Sequence, residues 1–207
     1  MGGAGRRADG YHHGNLRRAL LDAAMDIVRE RGIDGFKLRE VARRAGVSHA
    51  APYHHFADRA ALVAALAVAS FGLFTQAFRE AAASTEGMHL DKVRAIGRAY
   101  VRFAFNDPAR FTLMWRPELR TIGDDSAVDE AGLASYQVLI DEVAAGQETG
   151  EIVPGDVGLL SLGAWSTVHG LATILVDGPL RDQVTTWGQA EPLVDAVLDL
   201  AIRGLAR

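Results

Sequence analysis

A short segment near the amino terminus holds the side chains best suited to recognition chemistry. Between residues 48 and 56, four side chains have polar tips that can bond to phosphates and to base edges, namely His49, Tyr53, His54 and His55. Ala50 and Ala51 stand among them and are small enough to let the backbone come close to a duplex. This composition points to nucleic-acid recognition.

The residues just before this segment predict a helix-turn-helix. Gly46 can adopt the left-handed conformation of a tight turn, and Val47 is apolar and can pin the two helices together. Ser48 can cap the second helix by accepting a hydrogen bond from backbone N–H groups. Such a second helix enters the major groove with its first residues facing the bases. A tight corner between two core helices would have the same pattern, so both interpretations stay open here.

Metal and enzyme chemistry are not expected. The histidine pairs His12-His13 and His54-His55 are adjacent, whereas two ligands on one helical face stand four residues apart. The chain has no cysteine and no carboxylate at ligand spacing, so we predict no metal site and no cofactor. A helical enzyme is the competing class. However, the sequence has no nucleophile elbow, phosphate-cradling loop, His-Glu-x-x-His or usable Ser-x-x-Lys, and Lys37 and Lys92 are its only lysines.

Helical periodicity dominates the chain and predicts an all-α fold. Gly32 should end the first helix, and Asp58 should cap a long one. Prolines and glycines mark the other joints. The expected helices cover residues 14–31, 38–45, 48–56, 59–83, 90–106, 108–116, 125–149, 156–177 and 191–206.

Charge is unevenly distributed along the 207 residues, whose formal net charge is −4. Residues 1–60 carry eleven basic and seven acidic side chains, and residues 61–207 carry eleven basic and nineteen acidic ones. A basic DNA-reading part joined to an acidic body would show this split, although ordinary surface variation would too. The first ten residues have two arginines and no apolar core, so we expect a basic arm and not a signal peptide. The uncharged stretch 157–176 contains several polar residues and favours a buried helix, so we expect a soluble, cytoplasmic protein without a membrane span.

Aromatic residues are concentrated in the second part of the chain. They could line an apolar pocket with a few polar groups, and ordinary core packing is the alternative. For the histidine among them, a hydrogen bond to a backbone carbonyl within the core is the alternative. The candidate ligand-binding residues are Phe74, Phe78, Tyr100, Phe103, Met114, Trp115, Trp165 and His169.

Several short motifs together resemble the DNA-binding domain of the TetR family of transcriptional regulators over about residues 12–63. In order, they are Leu21-Asp22-Ala23-Ala24, Arg31-Gly32, Leu38-Arg39-Glu40-Val41-Ala42, Ala45-Gly46-Val47-Ser48 and Tyr53-His54-His55-Phe56, followed by Asp58-Arg59 and Leu62. The run from Trp165 to His169-Gly170 resembles the Trp-x-x-x-His-Gly signature of a recurring C-terminal domain in such proteins.

The resemblance implies a three-helix DNA-binding head at residues 1–57, with its helix-turn-helix at 37–56, and a larger helical-bundle body at 58–207. Phosphate contacts are implied for Lys37, Tyr53, His55 and Arg59. Groove-facing positions are implied for Ser48, His49, Ala50, Ala51 and His54. Two residues depart from the family pattern: Lys37 replaces a Thr or Ser cap, and Pro52 replaces an aliphatic residue of the recognition helix.

The implied function is a ligand-responsive repressor. It would bind an inverted-repeat operator in double-stranded DNA as a homodimer and be released by a small, largely apolar effector. In such proteins the last two helices, here 156–177 and 191–206, pair with their symmetry mates. Small residues on the first helix and an apolar stripe on the second suit close packing; they are Gly163, Ser166, Thr167 and Gly170, then Leu193, Val197, Leu200 and Leu205. The alternative is a ligand-binding or interaction module of this architecture without sequence-specific DNA binding.

Overall fold

The computed structural model describes residues 9–116 and 126–207. The basic arm predicted at residues 1–10 falls almost wholly outside the described residues. The side chains of His12 and His13 and the joints predicted at Pro117 and Gly123 also lie outside them.

Helices account for most of the described structure, which confirms the all-α fold. They are α1 (Asp9–Arg31), α2 (Leu38–Arg44), α3 (Arg59–Ser84), α4 (His89–Asn106), α5 (Pro108–Met114), α6 (Ser126–Glu148), α7 (Val157–Val176) and α8 (Trp187–Leu205). Two 3-10 turns, Ile33–Gly35 and Ala51–His54, interrupt the amino-terminal part. An isolated antiparallel bridge joins Ile152 to Ala206 and ties the chain's end to the segment between α6 and α7.

Helix α8 begins four residues before the start that we predicted at residue 191. Thr186 precedes the helix, and the side chain of Gln189 accepts the backbone N–H of Thr186 at 3.1 Å. This reciprocal cap is strong enough to start the helix upstream of Pro192. Pro192 is accommodated inside the helix because only one early backbone hydrogen bond is lost.

The head and the body share one apolar core. Leu20 and Phe36 of the amino-terminal part belong to the same buried cluster as Phe74 and Tyr100 of the body. Helix α3 contacts α1 of the head and also α4, α5 and α6 of the body, so both regions pack on one helix. The domain boundary at residue 57 stays a prediction, and it falls in the short non-helical stretch 55–58 between the 3-10 turn and α3.

Helices α3 and α7 are long and apolar enough to cross a membrane by length and composition. Half of the most apolar window of α3 and a third of that of α7 are buried inside the protein. Core helices of soluble proteins meet the same criterion, so this is weak support for a membrane span.

Candidate functional site

The turn after α2 has the geometry that the sequence predicts. Gly46 has a φ of +70°, and the N–H of Val47 bonds to the carbonyl of Ala42 at 3.0 Å. The N–H of Gly46 bonds to the carbonyl of Arg43 at 3.3 Å, which completes a Schellman motif. Val47 packs against the core and fixes the exit of the chain from the helix.

The segment that follows is helical only over Ala51–His54, as a single 3-10 turn, so the helix predicted between Ser48 and Phe56 is shorter than expected. The N–H of Ala51 bonds to the backbone carbonyl of Ser48 at 3.0 Å, and that of Tyr53 bonds to Ala50 at 3.1 Å. No side-chain hydrogen bond caps the turn, so the predicted cap at Ser48 is wrong. Pro52 lies buried at the second position of the turn, where it lacks an N–H and restrains the residue before it.

Most of the predicted DNA-facing residues form an exposed surface on the 3-10 turn and the start of α2. Lys37, Ser48, His49, Ala50, Tyr53 and His54 are exposed, and Ala51 and His55 are half-buried. Lys37 precedes α2 without a side-chain cap hydrogen bond, which leaves its ammonium group at the surface. Their contacts with DNA stay predictions.

Arg59 is engaged inside the head. Its guanidinium donates to the carbonyl of Ile33 and lies over the ring of Phe36 at 5.1 Å. Asp58 caps α3 by accepting the N–H of Ala61 at 2.8 Å, as predicted. The bond to Ile33 therefore competes with the phosphate contact that was predicted for Arg59.

Several basic side chains of the head are neutralised by neighbouring carboxylates. Arg44 pairs with Glu30 at 2.6 Å, and Arg31 pairs with Glu40. Arg39, at the start of α2, is exposed and forms no ion pair within the described residues. It is therefore available to phosphates, and its place two residues after Lys37 in the sequence is a signal that could have identified it.

Two ion pairs join this head to the short helix α5 of the body. Arg29 of α1 donates to Asp107 at 2.7 Å, and Arg116 donates to Asp34 at 2.9 Å. Asp107 also caps α5 and accepts the Nε–H of Arg110 at 2.9 Å. Burial alone would raise the pKa of Asp107, but the hydrogen bonds from Arg29 and Arg110 outweigh it and hold the pKa below its ordinary value.

The body encloses an apolar cavity of about 50 Å³ between α3, α4, α6, α7 and α8. Five of the eight predicted ligand-binding residues line it: Phe74, Phe78, Tyr100, Trp115 and Trp165. The rest of the wall was not predicted and is largely small or aliphatic. It comprises Val93, Ile96, Gly97, Gly132, Ser135, Tyr136, Leu139, Ala164, Val168, Leu198, Ala201, Ile202 and Leu205.

The other three predicted residues pack behind the wall. Phe103 contacts the ring of Phe74 at 4.9 Å, and Met114 is buried in the core. His169 stacks on Trp165 at 4.9 Å, and its Nδ1 lies 2.7 Å from the hydroxyl oxygen of Tyr100. The partner of His169 is thus a tyrosine and not the backbone carbonyl considered above. Burial lowers the pKa of His169 and keeps the imidazole neutral at pH 7.

Two family models match the chain. The model described as "Tetracyclin repressor-like, C-terminal domain" matches residues 93–201, more than half of the chain, and "Bacterial regulatory proteins, tetR family" matches residues 20–66. The chain belongs to the tetR family of bacterial regulatory proteins. Its amino-terminal head is accordingly the DNA-binding domain of a transcription regulator, and most of the cavity wall falls within the C-terminal match.

Solved structures are similar to the chain over nearly its whole length. A protein of unknown function from Rhodococcus sp. RHA1 is 39% identical, with a TM-score of 0.80 over 95% of this chain and 98% of that one. The regulator FadR from Bacillus subtilis, solved in complex with stearoyl-CoA, shares the fold at 22% identity, with a TM-score of 0.74 over 90% of this chain and 98% of that one.

Curated relatives match this chain over a short stretch only. The class D tetracycline repressor protein of Escherichia coli is 38% identical over 52 residues, which cover 25% of this chain and 24% of that protein. The chain therefore matches about a quarter of the length of these relatives. The resemblance of residues 165–170 to a C-terminal signature stays a prediction.

Proposed function

We propose that this tetR-family regulator is a ligand-responsive repressor that is released from an inverted-repeat operator when a small molecule occupies the body cavity. One observation carries the proposal: the cavity wall and the head are joined by adjacent residues. Trp115 lines the cavity, and the next residue, Arg116, donates to Asp34 of the head at 2.9 Å. A ligand that displaces Trp115 therefore acts directly on a residue bonded to the head.

The strength of release depends on two states of the protein. A ligand weakens DNA binding only by the ratio of its affinities for the DNA-competent state and for the other state. The small volume of the cavity supports a difference in ligand affinity between the two states, because a ligand larger than a few atoms has to move the wall to enter.

The repressor acts as a homodimer through α7 and α8 in this proposal. The outward face of α7 is uncharged, with Leu159 and Leu162 exposed and open space where a Cβ at Gly163 would stand. Leu193 and Leu200 are exposed on α8. Contiguous exposed apolar side chains of this kind support a protein contact. A twofold axis there would present two heads to the two halves of an inverted repeat.

The effector is small and largely apolar in this proposal, and the protein works by binding and not by catalysis, in the cytoplasm where its DNA target lies. The apolar wall of the cavity supports the effector class. The stearoyl-CoA bound to FadR, which shares this fold, supports a small-molecule ligand for the body.

The test is a titration of labelled duplex from the region upstream of the protein's own gene, against a random duplex, at several salt concentrations. The proposal expects tighter binding to the upstream duplex by a factor of about a thousand or more. Lys37→Ala should weaken binding to both duplexes and reduce the salt slope by about one per head, because a phosphate contact is lost. Lys92→Ala is the matched control, since Lys92 lies in the body, and it should change neither quantity.

The alternative is a ligand-binding module of the same architecture without sequence-specific DNA binding. The short 3-10 turn at Ala51–His54 favours it, because one turn presents fewer side chains to a groove than an α-helix does. Equal and weak binding to the upstream and random duplexes would support this alternative and contradict the repressor.

A further inference from the structure

The wall of the cavity carries no formal charge. Its lining residues are aliphatic, aromatic, small or hydroxyl-bearing, and none of them is an acid, a base or a histidine. An ionised group of a ligand would be buried there without a counter-charge, which is strongly unfavourable. The charged part of an acyl-CoA, for example, would find no partner on this wall.

The polar atoms of the wall are mostly satisfied by the protein itself. The hydroxyls of Ser135 and Tyr136 each donate to a backbone carbonyl, at 2.6 and 3.2 Å. The hydroxyl of Tyr100 is hydrogen-bonded to His169 at 2.7 Å. These hydroxyls already use their hydrogen bonds within the protein, so they contribute little to the choice of ligand.

Trp115 is the exception. Its indole Nε1 is buried and has no hydrogen-bond partner among the described residues, and no other lining residue shares this property. A buried donor without a partner is unfavourable, and a ligand that supplies an acceptor removes this penalty. Trp115 also lies in ring contact with Phe71 and Trp165, at 5.4 and 5.8 Å, so the indole belongs to a wall rich in aromatic rings.

We infer that the effector is an uncharged, largely apolar molecule that offers a hydrogen-bond acceptor, such as a ketone or ester oxygen, to the indole N–H of Trp115. This inference rests on the proposed function in one respect, the use of the cavity as the effector site. It adds the chemistry of the ligand and names the residue that recognises its polar atom. Recognition by Trp115 also places the selecting contact next to Arg116, which is bonded to the head.

The test uses three probes of nearly the same shape: 2-acetylnaphthalene, 2-isopropenylnaphthalene and 2-naphthoate. The ketone has the acceptor, the hydrocarbon lacks it, and the naphthoate carries a charge, while the flat rings suit an aromatic wall. Calorimetric titration of the full-length protein should show the ketone binding about tenfold more tightly than the hydrocarbon, and the naphthoate binding more weakly than the ketone by at least that factor.

Variants then assign the preference to one donor. Trp115→Phe keeps an aromatic ring and removes the N–H, so the ketone and the hydrocarbon should bind it equally. Trp187→Phe is the matched control, because the indole N–H of Trp187 is also buried without a partner among the described residues but lies outside the cavity wall. It should retain the tenfold preference. Circular dichroism of both variants verifies that they are folded.

Several outcomes would overturn the inference. They are equal binding of ketone and hydrocarbon to the wild-type protein, tightest binding of the naphthoate, no binding of either neutral probe, or a ketone preference that persists in Trp115→Phe. DNA release is measured in parallel. A ketone that binds with the Trp115-dependent preference but leaves the operator occupied supports the inference and contradicts the repressor. If a probe releases DNA but shows no Trp115-dependent preference in binding, the result supports the repressor and contradicts the inference.

Discussion

Replacing Asp107 by alanine should destabilise the protein by about 2–4 kcal/mol. The side chain caps α5, and loss of such a cap costs about 1 kcal/mol. It also accepts charge-assisted bonds from Arg29 at 2.7 Å and Arg110 at 2.9 Å. The Asp107 side chain is only 19% exposed but that of Arg29 is 44% exposed, so solvent screens part of this energy and about 1–3 kcal/mol remains.

Two further variants separate these contributions. Asp107→Asn retains an oxygen that can cap α5, so it should lose only the stabilisation that comes from the negative charge of the carboxylate. Asp34→Ala removes the other head-to-body pair, whose carboxylate is 80% exposed, and should cost less than about 1 kcal/mol. Urea unfolding at pH 7.5, followed by circular dichroism at one fixed protein concentration, gives the three values. If Asp107→Ala is no more destabilising than Asp34→Ala, the assignment of Asp107 as the main link is refuted.

The pKa of Asp107 adds a pH dependence with a definite sign. Its pKa is lowered in the folded protein, so the stability that it contributes is complete above the ordinary pKa of an aspartate. That stability is lost as the pH falls through the lowered value. The difference in unfolding free energy between the wild type and Asp107→Asn should therefore shrink on acidification below pH 4, and a constant difference would contradict this sign.

Three further predictions concern the cavity and the dimer. Gly97→Ala should be at least about 1 kcal/mol less stable than Gly72→Ala in urea unfolding, because its Cβ would stand 2.6 Å from Leu198 Cδ2, whereas Gly72 faces open space. Burial lowers the pKa of His169, so the folded protein disfavours its protonation and the wild type should lose stability between pH 7 and pH 5. His169→Gln should make this loss smaller in urea unfolding. Leu200→Asp places a charge on an exposed apolar face of α8 and should turn a dimer into a monomer in light scattering at micromolar concentration, with helicity unchanged.

Local signals made the turn after α2 predictable. Gly46 and Val47 each have a conformational or packing role that depends only on near neighbours, and the structure shows both. The segment around Pro52 was not predictable in the same way, because a missing N–H and a restrained preceding residue allow either a late α-helix or a 3-10 turn. Pro52 is buried in the structure, and burial is a tertiary property that the local sequence does not reveal.

The candidate site depended on tertiary placement to a greater degree. Aromatic residue types identified Trp115 and Trp165, yet Leu198 and its aliphatic neighbours on α8 line the cavity only because α8 packs across α4. The pairing of His169 with Tyr100 joins residues 69 positions apart, and no periodicity links them. Arg59 is a further case in which residue type alone was not sufficient. An arginine favours a phosphate contact, but in the structure the Arg59 guanidinium lies over the ring of Phe36.

The placement of α5 explains how a small cavity can influence a distant surface. The helix has seven residues and is about 10 Å long, which is too short to bend appreciably. Asp107 at its start is bonded to Arg29 of the head, and Trp115 and Arg116 at its end reach the cavity and Asp34. In the proposed mechanism a displacement of Trp115 moves this short helix, whose flanking residues Asp107 and Arg116 are each bonded to the head. Because head and body also share one core, the proposal expects such a movement to change the position of the head.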